Sequence, residues 1–415
     1  MSSSEVKPVG PGGEGAPVVL QPDKAPRSTY SLAIGYLRGS IVALVVVGHS
    51  MIAYCLLVPP IQTSLHAAPR AWVLYPVIDR QRWLGASLYA GFADTCLISL
   101  FFFISGLFVW RSLKRQGSAI FLRERLLRLG LPFIAAALLA PLAYYPAYLQ
   151  TGANPSPAAF AREWLSLGTW WVGPAWFIWV LLVFDGLAAL CFHFLPRSLK
   201  DAARLGGRTL PSPVASFSLL VGVTSLAYIP LLHLVGPLTW SSVGPFFFQT
   251  SRPLHYAVYF TAGIIVGAGG IERDWLSPDG ALARRWWVWA VAGLITYWLF
   301  IVSVVLALTN HMSLAQWETA GGFAFVLCCG ALGFASFAFS LRFVKARRAW
   351  LDSLSRNAYG IFLIHMVFVT WLQYALLAAP LHAALKFSLV FLGALALSWG
   401  ATAALRRLPA VDRVI

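Results

Sequence analysis

YLRGSIVALVVVGHS, residues 36–50, decides how the rest of the chain is read. Nine of the eleven residues from Ile41 to Met51 are apolar or glycine, so the segment predicts a helix that belongs in lipid. It nevertheless carries Arg38 and His49. An ionisable side chain inside hydrocarbon has to face the bundle interior or a wet cavity, so these two residues already ask for a function.

The surroundings agree with a membrane setting. Of 415 residues, 59% are hydrophobic and 11% charged, and the mean hydropathy is +0.72. A soluble domain is closer to roughly half apolar and about a quarter charged. Crossing about 30 Å of hydrocarbon takes roughly 20 mostly apolar residues. Ten stretches qualify, near 31–58, 88–110, 129–149, 173–195, 213–235, 254–270, 284–307, 320–343, 356–379 and 384–405. The predicted fold class is all-α, a polytopic membrane bundle of about ten transmembrane helices. One domain, 31–405, lies between a disordered cytoplasmic tail, 1–30, and a short cytoplasmic tail, 406–415. The first 30 residues lack the apolar stretch of a cleavable signal peptide.

The net charge of +16 is distributed by loop parity. With the N-terminus in the cytoplasm, 25 of the 31 Lys and Arg fall on the inner side and 6 on the outer side. That is the positive-inside bias for an even number of spans with both termini inside, and it excludes nucleic acid as the reason for the charge. All five cysteines fall within predicted spans, which leaves no disulfide framework or zinc spacing in the loops. No metal is expected. No repeat and no soluble domain with its own core is visible, so function has to lie within the bundle.

Arg38 and His49 are eleven residues apart, which puts them on one helix face about 16 Å apart along the axis. Arg38 then lies near the cytoplasmic interface, as a snorkelling anchor or an anion ligand, and His49 near mid-depth. SRNAYGIFLIH, 355–365, supplies a second histidine. His365 lies nine residues beyond Arg356, at a depth similar to His49, so the two imidazoles can meet in one cavity. Asp185 is the one acid deep in a span and can orient an imidazole or hydrogen-bond a neighbour. In RSLKRQGSAIFLRERLLRLGLPF, 111–133, Arg125 and Arg128 are three apart and share a helix face, with Arg123 and Lys114 nearby. An arginine fork suits phosphate, so this loop is a candidate cradle for a phosphorylated cytosolic donor.

Together these pieces resemble the acyltransferase-3 family, integral membrane enzymes that move acyl groups from a cytoplasmic donor to acceptors beyond the bacterial inner membrane. The resemblance runs from about residue 31 to 405 and rests on five motifs in order. They are Arg38 and His49 in LRGSIVALVVVGH, Ser105 and Gly106 in FFFISGLF, the pair Arg125 and Arg128, Trp176 in PAWFIWVL, and Ser355, Tyr359, Leu363 and His365 in the late motif. Members that acetylate surface polysaccharide often carry Gly-Val-Asp before the Phe-Phe signature. Here Leu97, Ile98 and Ser99 stand there, which is more similar to the branch containing succinyltransferases of periplasmic glucans.

The resemblance implies a multi-pass enzyme of the bacterial inner membrane, with acyl-coenzyme A as co-substrate and a glycan or related envelope hydroxyl as acceptor. His49, Arg38 and His365 would be catalytic. Arg125, Arg128, Arg123 and Ser105 would bind the donor, and Trp176 and Asp185 the acceptor. Imidazole can take a proton from a hydroxyl at neutral pH or accept the acyl group itself, whereas a guanidinium holds an oxyanion. The rival reading is a proton-coupled transporter, since intramembrane His, Arg and Asp also build proton relays. A structural protein that holds a partner is the third. The acyl group, acetyl or succinyl, the acceptor and the oligomeric state are left open by the residues.

Overall fold

The computed structural model describes residues 29–68, 70–195, 212–270 and 274–414. Most of the predicted tail 1–30 and the basic loop Arg197 to Arg208 lie outside the described residues. In chain order the helices are α1 (Thr29–Met51), α2 (Leu84–Gly106), α3 (Val109–Arg125), α4 (Leu131–Gln150), α5 (Pro157–Ser166), α6 (Trp176–Phe194) and α7 (Pro213–Val235). After a hairpin of β1 (Trp240–Val243) and β2 (Phe246–Gln249) come α8 (Pro253–Gly269), α9 (Ala281–Arg284), α10 (Trp286–Leu308), α11 (Leu314–Phe343), α12 (Ala349–Ala375), α13 (Ala383–Leu405) and α14 (Pro409–Asp412).

Among the described residues nine segments are long and apolar enough to cross a bilayer, α3 and α4 counting together as one. The 17-residue α8 makes a tenth of about 25 Å, at the short end of what a span needs. Exposed Leu138, Leu226, Leu294 and Trp298 point outward from α4, α7 and α10, as a hydrocarbon solvent allows. The bundle is all-α apart from the hairpin.

Residues 111–128, read from sequence as a basic loop, are helical. Val109, Leu113 and Phe121 of α3 are buried while Arg111, Arg115 and Arg123 stay exposed, so an amphipathic helix forms where a membrane helix cannot. Gly117, at φ 78° and ψ 167°, breaks α3 in two. A π turn, Leu126–Gly130, then feeds directly into α4.

Small residues set how close the helices come, since lipid gives helices no hydrophobic reason to associate. A Cβ on Gly39 would lie 3.1 Å from the Ser355 Cα, and the Ser355 hydroxyl donates to the Gly35 carbonyl at 2.8 Å, so α1 lies tightly along α12. Gly106, of the FFFISG signature, packs backbone to backbone on Gly263 of α8, and any side chain there would run into the Phe260 carbonyl.

At the end where α1 finishes, the segment 52–83, α5 and the hairpin form a cap. Trp72, Tyr144, Trp164, Trp171 and Phe247 make its aromatic core. A buried ion pair, Lys386 Nζ to Asp79 Oδ2 at 2.7 Å, fastens the cap to α13. The Gln150 amide brackets the Ile78 backbone at 2.9 and 3.0 Å and fastens it to α4.

Candidate active site

The two intramembrane histidines meet. His49 of α1 and His365 of α12 stand with ring centroids 5.1 Å apart and planes inclined at 43°. His365 is fully buried, and its Nδ1 lies 2.8 Å from the Phe362 carbonyl and 3.2 Å from that of Ile361. Carbonyls only accept, so Nδ1 carries the hydrogen and Nε2 keeps a lone pair. That Nε2 is buried with no hydrogen-bond partner among the described residues. His49 is half-buried, and its carbonyl accepts from the Gln373 amide at 2.9 Å, with the Ser50 carbonyl at 3.2 Å. The sequence reading passed over Gln373. Its only signal there was an amide inside a predicted apolar span.

The two histidines share a common level, as expected. His49 is third from the end of α1, and α12 begins at Ala349, seven residues before Arg356. His365 therefore lies about 24 Å into its helix and the pair sits toward the cap.

Arg38 lies about 16 Å back along α1 and is exposed, on the histidine face but not in the histidine site. Around it, the Tyr36 hydroxyl donates to Asp352 Oδ1 at 2.9 Å and accepts from the Arg348 N–H at 3.0 Å.

Asp185 turns out to partner an arginine. Arg125 Nε stands 3.2 Å from Asp185 Oδ2, and the carboxylate is 1% exposed. α6 packs on α3, so this acid reaches the basic helix and orients no imidazole. Nor do Trp176 and Asp185 form a joint acceptor site, since they are nine residues apart on α6, about 14 Å. Trp176 instead joins an aromatic wall with Tyr256 at 5.9 Å and Trp240 at 6.3 Å.

Arg125 and Arg128 do not keep the shared face that three-residue spacing implies. The wider i to i+5 turn of Leu126–Gly130 intervenes, and only Arg125 is paired with Asp185, while Arg128 is exposed. The Tyr359 hydroxyl donates to the Arg128 carbonyl at 2.8 Å, so α12 holds the turn. Arg123 is exposed beside it. Ser105 is half-buried at the end of α2, and its hydroxyl bonds none of these arginines.

The arrangement is thus two stations joined by α12. One is an exposed arginine turn held by Asp185 and Tyr359. The other is a desolvated imidazole pair with one tautomer fixed. A cavity of about 560 Å³ between α2, α7, α8 and α11 is almost wholly apolar and includes neither station.

Compared with protein families, residues 31–403 match a family described as an acyltransferase domain, which spans both stations and every membrane helix. The chain belongs to the acyltransferase-3 family. Neither curated proteins nor solved structures give a match. This acyltransferase-3 chain is a multi-pass membrane acyltransferase, and the imidazole pair is its candidate centre of chemistry.

Proposed function

We propose that this membrane protein moves an acetyl or succinyl group from cytoplasmic acyl-coenzyme A to a hydroxyl of an envelope glycan or related acceptor across the bacterial inner membrane. The observation that carries the reading is the contact of His49 with His365, whose Nε2 is buried and unpartnered. Two imidazoles placed together suit a proton transfer better than a packing role, because His365 pays desolvation without a compensating bond at Nε2.

The donor's phosphates rest on the arginine face of α3 and the π turn, with Arg125 braced by Asp185 and with Arg128, Arg123 and Arg38 beside it. The pantetheine arm runs along α12 toward the cap, delivering the thioester to His49. His49, the more exposed imidazole, takes the proton of the acceptor hydroxyl as that oxygen attacks the thioester carbonyl. Collapse of the tetrahedral intermediate breaks the C–S bond, and the leaving thiolate takes the proton back from the imidazolium. His365 accepts a hydrogen bond from His49 at Nε2 and stabilises the charge. Acceptors arrive from the cap side.

The test is consumption of radiolabelled acyl-coenzyme A by the purified protein. Turnover that disappears in His49→Ala, with coenzyme A still bound, supports the proposal. A carrier would bind without consuming the thioester.

A further inference from the structure

A second polar cluster lies in α2 and α8. Arg252 Nη2 donates to Asp94 Oδ2 at 2.8 Å, and the two side chains differ sharply, Arg252 being 7% and Asp94 48% exposed. The guanidinium is sealed over the rings of Phe325 at 4.1 Å and Tyr228 at 5.5 Å, with Nε and Nη1 buried and unpartnered among the described residues. One turn on, His255 Nε2 and the Ser99 hydroxyl lie 2.8 Å apart. A charge pair inside a bundle is costly to desolvate and marks a functional site more often than a structural one.

Asp94 lies on the face of α2 that turns toward α12, which carries His365. Gly48, next to His49, packs on Tyr89 and Ala93, so Asp94 stands at the level of His49. Seven residues on, Phe101 lies on the same face of α2, two turns deeper. Phe101 meets Phe362 at 6.2 Å, and Phe362 meets His365 at 6.0 Å, so this face is the one turned to the imidazoles.

We propose that Asp94 receives the acceptor on its way to His49, hydrogen-bonding its hydroxyls through the oxygen Arg252 leaves open, and that the acceptor is therefore a neutral polyol. This rests on the transfer to a hydroxyl proposed above. A carboxylate accepts hydrogen bonds from sugar hydroxyls and repels anionic groups. Arg252 touches no ligand. It is a positioning residue that aims Asp94, while its remaining N–H groups lie against aromatic faces where an anion cannot reach.

The full-length protein in detergent is given radiolabelled acetyl- or succinyl-coenzyme A, with methyl β-glucoside as the neutral probe and methyl β-glucuronide as the anionic one. The wild type should acylate the glucoside. Asp94→Asn, and the double variant Asp94→Ala with Arg252→Met, should raise the KM for the glucoside about 10- to 100-fold and leave the KM for acyl-coenzyme A unchanged. A merely structural ion pair behaves differently, because removing both charges relieves the stranded guanidinium and the double variant recovers. That recovery, or equal use of the glucuronide, overturns the assignment. So does a wild type that hydrolyses acyl-coenzyme A through His49 yet acylates neither sugar, an outcome that leaves the acyltransferase reading standing. If acyl-coenzyme A is not consumed at all, both fall.

Discussion

His365 and His49 differ in one respect that fixes their roles. The first has its tautomer set by the Phe362 carbonyl, while the second is the more exposed. His49→Ala should lower the transfer rate by about 10²- to 10⁴-fold, the usual loss for a positioned acid–base group. His365→Ala should lower it less, because the imidazolium on His49 loses an acceptor and not the proton-transfer group itself. Initial rates at saturating acyl-coenzyme A decide the order, and a His49→Ala rate above about a tenth of wild type would remove His49 from the chemistry. At the other station, Arg128→Ala should weaken coenzyme A by about 1.5–3 kcal/mol, as the loss of a charged hydrogen bond does, with stability unchanged because the side chain is exposed. Arg125→Ala should weaken binding too, but it also strips buried Asp185 of its counter-charge, so its melting temperature should fall. Calorimetric titration and thermal unfolding of the two variants separate the effects.

Among the elements, α12 does the most. Ser355 fastens it to α1, Tyr359 holds the arginine turn, His365 meets His49, and Gln373 caps the last turn of α1. A single helix therefore fixes the spacing between the arginine turn and the imidazole pair, since six residues from Tyr359 to His365 span about 9 Å. The seam of α2 with α8 is set by glycine. Gly106→Val should destabilise the protein by about 1–3 kcal/mol or more, because a well-packed interface cannot absorb the added carbons without moving backbone. Thermal unfolding in detergent reads this directly, and an unchanged melting temperature would give Gly106 some purpose other than close packing.

For the whole molecule, the arrangement makes sense only with the arginine turn in the cytoplasm and the cap outside. The distribution of 25 basic residues against 6 argues for that orientation. Reporters fused after residues 120, 205, 278 and 348 should report cytoplasm, and those after 155, 243, 314 and 382 the opposite side. One inverted pair would break the ten-helix order and move the acceptor to the donor's face.

What the sequence determined by itself follows from local physics. Runs of apolar residues long enough to cross hydrocarbon gave ten helices, including the short α8, because in lipid each span must satisfy its own backbone. Helix geometry likewise put Arg38 and His49 on one face, and motif order pointed to the family. Boundaries were less legible. Nothing in an apolar run marks where a helix begins, so α12 began seven residues before the expected span. The basic segment looked like a loop because its charges hid the buried apolar positions Val109, Leu113 and Phe121. Pairings were decided only by the tertiary structure. Asp185 found Arg125, Lys386 found Asp79 and Arg252 found Asp94 across separations that no helical period encodes. A buried charge takes whichever opposite charge the packing of helices brings within reach, and that packing depends on glycines and aromatic rings scattered over the whole chain.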